Sequence, residues 1–165
     1  MKNIFTLALV AMFAIGAQAQ KFAHIDSQKL MSELPERVAA EQQLQDEAKK
    51  LEDQLGIMGN ELQQKYEDYM TKRDSLPDLI RATREKEIQD AQARIQQYQQ
   101  MAQQSLSQKE QQLLMPIIEK MQNAINEVGK EQNYIYIFDI SAQGILYHSE
   151  QSEDATPFIK KKLGL

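Results

Sequence analysis

Hydrophobic residues recur at steps of three and four through a long polar stretch, residues 36–130, that holds few glycine or proline residues. In its first half these positions are Leu44, Ala48, Leu51, Leu55, Met58, Leu62, Tyr66 and Tyr69. In its second half they are Ile88, Ala91, Ile95, Tyr98 and Ala102 and then, after an interruption at Ser105 and Lys109, Leu113, Ile117, Met121, Ala124 and Val128. Steps that average about 3.5 residues keep one narrow apolar seam along a helix, as in a coiled coil. The pattern therefore predicts two long helices that pack seam to seam.

The segment between the two helices is Asp-Ser-Leu-Pro-Asp, residues 74–78. Proline and aspartate at these places end one helix and start the next, so we predict an antiparallel hairpin with its tip at residues 74–78. At ~1.5 Å per residue, the first limb, residues 36–73, is roughly 57 Å long. A hairpin of that length is expected to project as an arm or to be part of an oligomer.

Two prolines mark the expected base of this arm. If the hairpin folds about Leu76, Pro35 and Pro116 lie at the same height and break the two limbs there. Residues 36–116 are then the arm, and residues 20–35 and 117–165 form a separate body. Gly56 and Gly59 interrupt the first limb and predict a soft point, since each glycine costs ~1 kcal/mol against alanine within a helix.

The body is predicted to be a small α+β domain of about three short strands with short helices. Residues 22–25 favour a strand, and Asp26 and Ser27 are suitable N-caps for a short helix that ends at Leu34. Residues 134–140 are apolar on both faces, which predicts a strand buried on both sides. A turn at residues 141–144 and a strand at residues 145–148 would complete a hairpin.

A closing helix is predicted with Thr156 as its N-cap and Pro157 at its first position. So small a core with open strand edges indicates that the body assembles with copies of itself. The candidates for that contact lie on the predicted strands and are Ile25, Tyr136, Ile137, Phe138, Ile145 and Tyr147.

Residues 1–19 are predicted to be a secretory signal peptide. Lys2 supplies the basic start, residues 4–15 are apolar, and Ala17-Gln18-Ala19 fits a cleavage site. The alternative, a membrane-spanning helix, needs ~20 apolar residues. The mature protein would then begin at Gln20, carry no membrane insertion, and work in an exported compartment.

The remaining chemistry is sparse. The formal charge of -5 argues against nucleic acid as the main partner, and the lack of cysteine excludes a disulfide and a reactive thiol. His24 and His148 lie in different strand-like segments, which does not predict a metal site. The sequence contains no phosphate loop or nucleophile motif, so we predict neither an enzyme nor a bound cofactor.

Aromatic and methionine side chains on or beside the seam have two interpretations: they pack limb against limb, or they form an adaptable surface for a partner protein. The candidates for partner contact are Met58, Tyr66, Tyr69, Met70, Ile80, Tyr98 and Met101.

The order of the body motifs around the hairpin resembles the Skp/OmpH family of periplasmic chaperones. The matching residues at the start are His24-Ile25-Asp26-Ser27-Gln28-Lys29-Leu30, and those at the end are Tyr136-Ile137-Phe138-Asp139, Gly144-Ile145-Leu146-Tyr147 and Asp154-Ala155-Thr156. The resemblance covers nearly the whole mature chain.

The resemblance implies a jellyfish-like homotrimer in the periplasm. Its strands would form a central body, and its arms would hold unfolded outer-membrane β-barrel proteins without ATP. This chain is acidic (pI near 5.1), whereas the best-known members are strongly basic. The resemblance therefore does not predict a lipopolysaccharide site in this chain. Two other hypotheses stay open: an adaptor coiled coil of the cell envelope that binds one folded partner, and a membrane-surface protein, which the acidic limbs disfavour.

Overall fold

The computed structural model describes residues 21–142 and 144–165. The element order is β1 (Phe22–Ile25), α1 (Ser27–Glu33), α2 (Pro35–Lys72), a 3₁₀ turn (Arg73–Ser75), α3 (Asp78–Glu131), β2 (Tyr136–Asp139), β3 (Glu153–Asp154) and α4 (Thr156–Leu163). The predicted signal peptide lies outside the described residues, as does Gln143 in the predicted turn.

The chain divides into two compact units. Leu34–Glu119 forms one, called here the long-helix unit, and the described residues up to Glu33 together with Lys120–Leu165 form the other, called the sheet unit. Because α3 is a single helix of 54 residues, it contributes to both units.

The two long helices, α2 and α3, follow the predicted seam closely. Nearly every seam position from Leu44 to Val128 is buried or half-buried, while the charged and glutamine side chains around it are mostly exposed. Tyr69, Ile88 and Ala102 are among the least exposed side chains, whereas Tyr66 is 51% exposed. The spacing of apolar residues therefore correctly predicted the least exposed face of both helices.

The predicted helix break at Pro116 was wrong. Pro116 lies inside α3, which continues to Glu131. A proline removes one donor from the helix ladder, but α3 has long helical stretches on both sides and buries Ile117, Met121 and Ala124 just beyond it. Gly56 and Gly59 leave α2 continuous from Pro35 to Lys72, and the soft point expected there stays a prediction.

The seam also runs through the expected interruption. Leu106 and Lys109 are half-buried and keep the spacing between Ala102 and Leu113, whereas Ser105 is exposed. The long methylene stem of a lysine can cover apolar surface while its ammonium reaches water, which makes Lys109 compatible with a seam position.

The sheet unit contains a three-stranded parallel sheet in the order β2-β1-β3. The predicted hairpin was therefore wrong: residues 145–148 are not a strand, and the third strand is Glu153–Asp154. It pairs with the free edge of β1, and the Ala155 N–H donates to the His24 carbonyl at 3.0 Å. This pairing satisfies backbone groups of β1 that would otherwise lack partners.

The two sheet faces differ in burial. Ala23 and Ile25 face inward and are almost inaccessible, and Ile137, which pairs with Ala23, lies close to Gly129 of α3. On the other face Tyr136 is 60% exposed and Phe138 is 40% exposed. The expectation that residues 134–140 are buried on both sides was thus wrong within a single chain, because no element of the described sheet unit covers the second face.

Helix starts and ends in this unit depend on carboxylates. The Lys29 N–H donates to Asp26, which caps α1 as predicted. The N-cap assigned to Thr156 was wrong: α4 begins at Thr156, whose N–H donates to the Asp154 carboxylate at 2.9 Å. Lys160 pairs with Glu33 of α1, and Lys162 pairs with Glu127 and Glu131 of α3, so three helices of the sheet unit are joined by ion pairs.

Candidate functional site

The turn between α2 and α3 carries the first candidate surface. Near it the two helices contact each other, because the Tyr69 hydroxyl donates to the Glu85 carboxylate. This hydrogen bond raises the pKa of Tyr69, and burial of the ring acts in the same direction. A cleft of about 510 Å³ lies beside the pair, with Leu76, Ile80 and Ile88 in its lining.

The cleft has a mixed electrostatic character. Its charged lining residues include Lys65, Lys72 and Arg84 as well as Glu61, Asp68 and Glu87. Several are already paired, since Arg84 contacts Glu87 at 2.8 Å and Lys72 contacts Asp68 at 3.5 Å. The cleft therefore offers apolar contact with balanced charge, and nothing in it selects a strongly charged small ligand.

The seven residues predicted to contact a partner do not form one surface. Met70, Ile80 and Met101 are exposed, as is Tyr66, while Met58 and Tyr98 are half-buried on the seam. Tyr69 is buried, which places it among the packing residues of the long-helix unit.

The candidates for self-assembly also divide by face. Ile25 is buried in the inner face and Ile137 is half-buried there, whereas Tyr136 and Phe138 lie on the outer face. Phe22 joins the outer pair: its ring stacks on Tyr136 and on Phe138 with centroid distances of 6.3 Å in both cases. Ile145 is half-buried, and Tyr147 is 83% exposed.

A loop that the sequence pattern had assigned to a strand lies beside one end of this aromatic row, against His24. His148 stacks on His24 with ring centroids 4.1 Å apart, and His24 Nδ1 lies 3.0 Å from the Ser152 hydroxyl. A pocket of about 240 Å³ lies there, with Phe138, Ile145 and Tyr147 among its lining residues. The sequence around His24 and His148 does not predict this contact, because the two rings come from segments that are far apart in the chain.

The ends of β1 and β2 are joined by a carboxylate. Asp139 accepts hydrogen bonds from the backbone N–H and hydroxyl of both Ser27 and Ser141. Partial burial alone would raise the pKa of Asp139, but the hydrogen bonds from the two serines outweigh it, and the pKa is lower than usual. Asp139 thus has a structural role, and no group of three or more potential metal ligands occurs within the residues that the structure describes.

The family model for outer membrane proteins of the OmpH-like type matches residues 21–163. The chain belongs to the OmpH-like family. Among solved structures, this OmpH-like chain is similar to one from Caulobacter crescentus CB15 that is described as an outer membrane chaperone, OmpH-like. The TM-score is 0.76 with 14% sequence identity, over 90% of this chain and 86% of the other. A search of curated proteins finds no match.

At this level of identity the structural match establishes the fold of the OmpH-like chain, namely a small sheet combined with long helices. The family identification agrees with the resemblance drawn from the sequence motifs. Within residues 21–142 and 144–165, no helix has the length and apolar character needed to cross a membrane.

Proposed function

We propose that this OmpH-like protein is an ATP-independent periplasmic holdase, which binds unfolded outer-membrane β-barrel proteins and prevents their aggregation. The match of the OmpH-like family model over residues 21–163 is the observation that carries the proposal. The description of the Caulobacter protein as an outer membrane chaperone supports it. An unfolded membrane barrel in water exposes alternating apolar side chains and unpaired strand edges, so it needs such a partner.

The long-helix unit suits this task. It carries exposed large apolar side chains on otherwise polar helices, among them Tyr66, Met70, Ile80 and Met101. Scattered apolar contacts are individually weak, but several of them on one client raise the overall affinity without any tight site. We propose that α2 and α3 pair antiparallel along their seams and that this pair, acting as an arm, is the client-holding part.

We further propose that the protein is a homotrimer assembled through the sheet unit. The outer aromatic row of Phe22, Tyr136 and Phe138 is a substantial apolar surface on a single chain. Contiguous exposed apolar surface of this kind marks an interaction site, and the family resemblance implies three copies. The signal sequence at residues 1–19 would deliver the chain to the periplasm before assembly.

The proposal is tested by diluting a urea-unfolded outer-membrane β-barrel protein into buffer with and without the OmpH-like protein and measuring aggregation by light scattering. The native mass of the OmpH-like protein alone gives its oligomeric state. We expect the protein to be a trimer and to suppress the aggregation of several unrelated barrel proteins. Binding to a single folded partner and failure on unfolded barrels would instead support the adaptor hypothesis.

A further inference from the structure

The side of α3 away from the seam carries an uncharged stripe. Residues 95–118 hold nine glutamines and only two charged residues, Lys109 and Glu110, whereas charged residues are frequent throughout α2. Steps of three and four align six exposed side chains along the helix in this stretch. These are Met101, Gln104, Gln108, Gln111, Met115 and Ile118, called here the glutamine–methionine strip.

The two charges of this stretch lie away from the strip. Lys109 is half-buried at a seam position, and Glu110 precedes the seam residue Leu113 by three residues, which puts it toward the seam side. The strip therefore presents apolar side chains at Met101, Met115 and Ile118 with only neutral amides between them.

The glutamines of the strip have unused hydrogen-bonding capacity. Gln42 and Gln63 on α2 donate to Asp46 and Glu67 within their own helix. Within the part of the chain that the structure describes, the side chains of Gln104, Gln108 and Gln111 make no such bond. A glutamine amide supplies two N–H donors and a carbonyl acceptor, which are the groups that can pair with an unsatisfied peptide backbone.

The length of the strip matches one kind of partner. From Met101 to Ile118 it extends about 26 Å at ~1.5 Å per residue. An extended chain rises ~3.3 Å per residue, so about eight residues would lie along it. A strand that crosses an outer membrane has ~9–11 residues, and in the unfolded protein it combines apolar side chains with unpaired backbone groups.

We propose that the glutamine–methionine strip is a docking surface for one strand-length, extended segment of an unfolded outer-membrane protein. Methionine side chains adapt to varied apolar side chains, and the glutamine amides pair with the exposed backbone of the segment. Because no charge has to be desolvated or screened, the strip accepts segments of either charge and its binding depends little on salt. This inference rests on the proposed holdase function and specifies the contact surface on the arm.

A matched pair of triple variants tests the strip. The strip variant replaces Met101, Met115 and Ile118 by glutamine, which preserves helix preference. The control variant replaces Val38, Ile57 and Leu79 by glutamine, which removes three apolar side chains elsewhere in the long-helix unit that are exposed by more than half. The probe is a urea-unfolded outer-membrane β-barrel protein, and helical content and native mass are measured for both variants.

The strip variant is expected to need on the order of tenfold more chaperone for half-maximal suppression of aggregation, while the control variant stays near the wild type. Equal losses in both variants, or no loss in the strip variant, overturn the inference and leave the holdase function intact. Failure of the wild-type protein to suppress aggregation overturns the holdase function itself, and the strip assignment with it.

A second measurement does not depend on the folding of the triple variant. The chain has no cysteine, so Gln108→Cys and, on α2, Gln54→Cys can each carry a single photoreactive probe. Cross-links to the unfolded barrel are expected from position 108 and much less from position 54, and they are expected to persist when salt is raised. Cross-linking that is equal at both positions, or that salt abolishes, contradicts the inference.

Discussion

Ser27 donates its backbone N–H to the Asp139 carboxylate at 3.1 Å and its hydroxyl to the same carboxylate, although 112 positions separate the two residues in the sequence. The contact joins the start of α1 to the end of β2, so it fixes the two ends of the chain that build the sheet unit. Ser141 donates to Asp139 as well and holds the segment that follows β2.

Replacing Asp139 by alanine is expected to lower the free energy of unfolding by about 2 kcal/mol at pH 7, because hydrogen bonds to a charged group are worth ~1.5–3 kcal/mol. The pKa of Asp139 is lower than its ordinary value of 3.8. This stabilisation is therefore complete above pH 3.8 and is lost as the pH falls through the lowered pKa.

Urea denaturation of the wild type, Asp139→Ala and Ser141→Ala at several pH values checks this prediction. Ser141→Ala should cost less, because the Ser27 contacts remain. A difference between wild type and Asp139→Ala that is the same at pH 7 and at pH 2 would contradict the assigned role of the carboxylate.

Tyr66 and Tyr69 lie one helical turn apart on α2 but differ in exposure, at 51% and 9%. Tyr69→Ala should lower the thermal midpoint by several degrees, because it removes a packed ring and the hydrogen bond to Glu85. Tyr66→Ala should leave the midpoint nearly unchanged and weaken suppression of barrel aggregation.

Calorimetry and light scattering on the two variants measure these effects separately. Tyr69→Phe serves as the intermediate case, since it preserves the ring and loses only the hydroxyl. If Tyr66→Ala proved as destabilising as Tyr69→Ala, then Tyr66 would belong to the packing of the long-helix unit and not to the client surface.

Tyr136 and Ile137 are neighbours on β2 and point to opposite sheet faces. Ile137→Asp should unfold the sheet unit, because an unpaired charge on the inner face costs several kcal/mol. Tyr136→Glu should preserve the secondary structure of the chain but dissociate the proposed trimer, since Tyr136 is exposed in one chain and is placed in the interface only by assembly.

Circular dichroism and native mass distinguish these outcomes. Leu146→Glu is the control, because Leu146 is 96% exposed and lies outside the aromatic row. A Tyr136→Glu protein that keeps the full oligomeric mass would show that assembly uses another surface.

The long helices were predictable because their apolar residues repeat along the sequence: Leu51, Leu55 and Ile88 are located by spacing alone. The predicted break at Pro116 was wrong because one proline destabilises a helix only locally, whereas many residues stabilise the helix on either side. The strand β3 was missed because Glu153 and Asp154 are polar and become a strand only by pairing with β1. The ring stack of His148 on His24 joins segments that are far apart in the sequence, so no local sequence pattern predicts it.

The candidate surfaces show the same limit. Seam spacing separated buried from exposed positions well, but it could not tell Tyr69 from Tyr66, since both fit the period. Apolar periodicity does not reveal the glutamine–methionine strip, because three of its six positions are glutamines. The sequence signal that marks this part of α3 is the absence of charge, since residues 95–108 contain no charged side chain.

Gly56 and Gly59 provide the last prediction, which concerns the mobility of the arm. A Cβ at either position would have no atom within 4 Å, so alanine fits both places without any rearrangement. Each replacement should raise the free energy of unfolding by up to ~1 kcal/mol, because glycine is the poorer helix former. A stiffer α2 is also expected to narrow the range of barrel sizes that the protein protects from aggregation.

Gly129→Ala is the matched control for this prediction. Gly129 lies in the sheet-unit part of α3, where a Cβ would be in ordinary contact with Ile137 at 3.6 Å. This variant should gain stability in the same way without changing the range of clients, because it leaves α2 unaltered. If the double variant Gly56→Ala/Gly59→Ala gains stability and still protects small and large barrels as the wild type does, then flexibility at the middle of α2 has no part in holding clients. If Gly129→Ala narrows the range equally, the effect comes from overall stability and not from the arm.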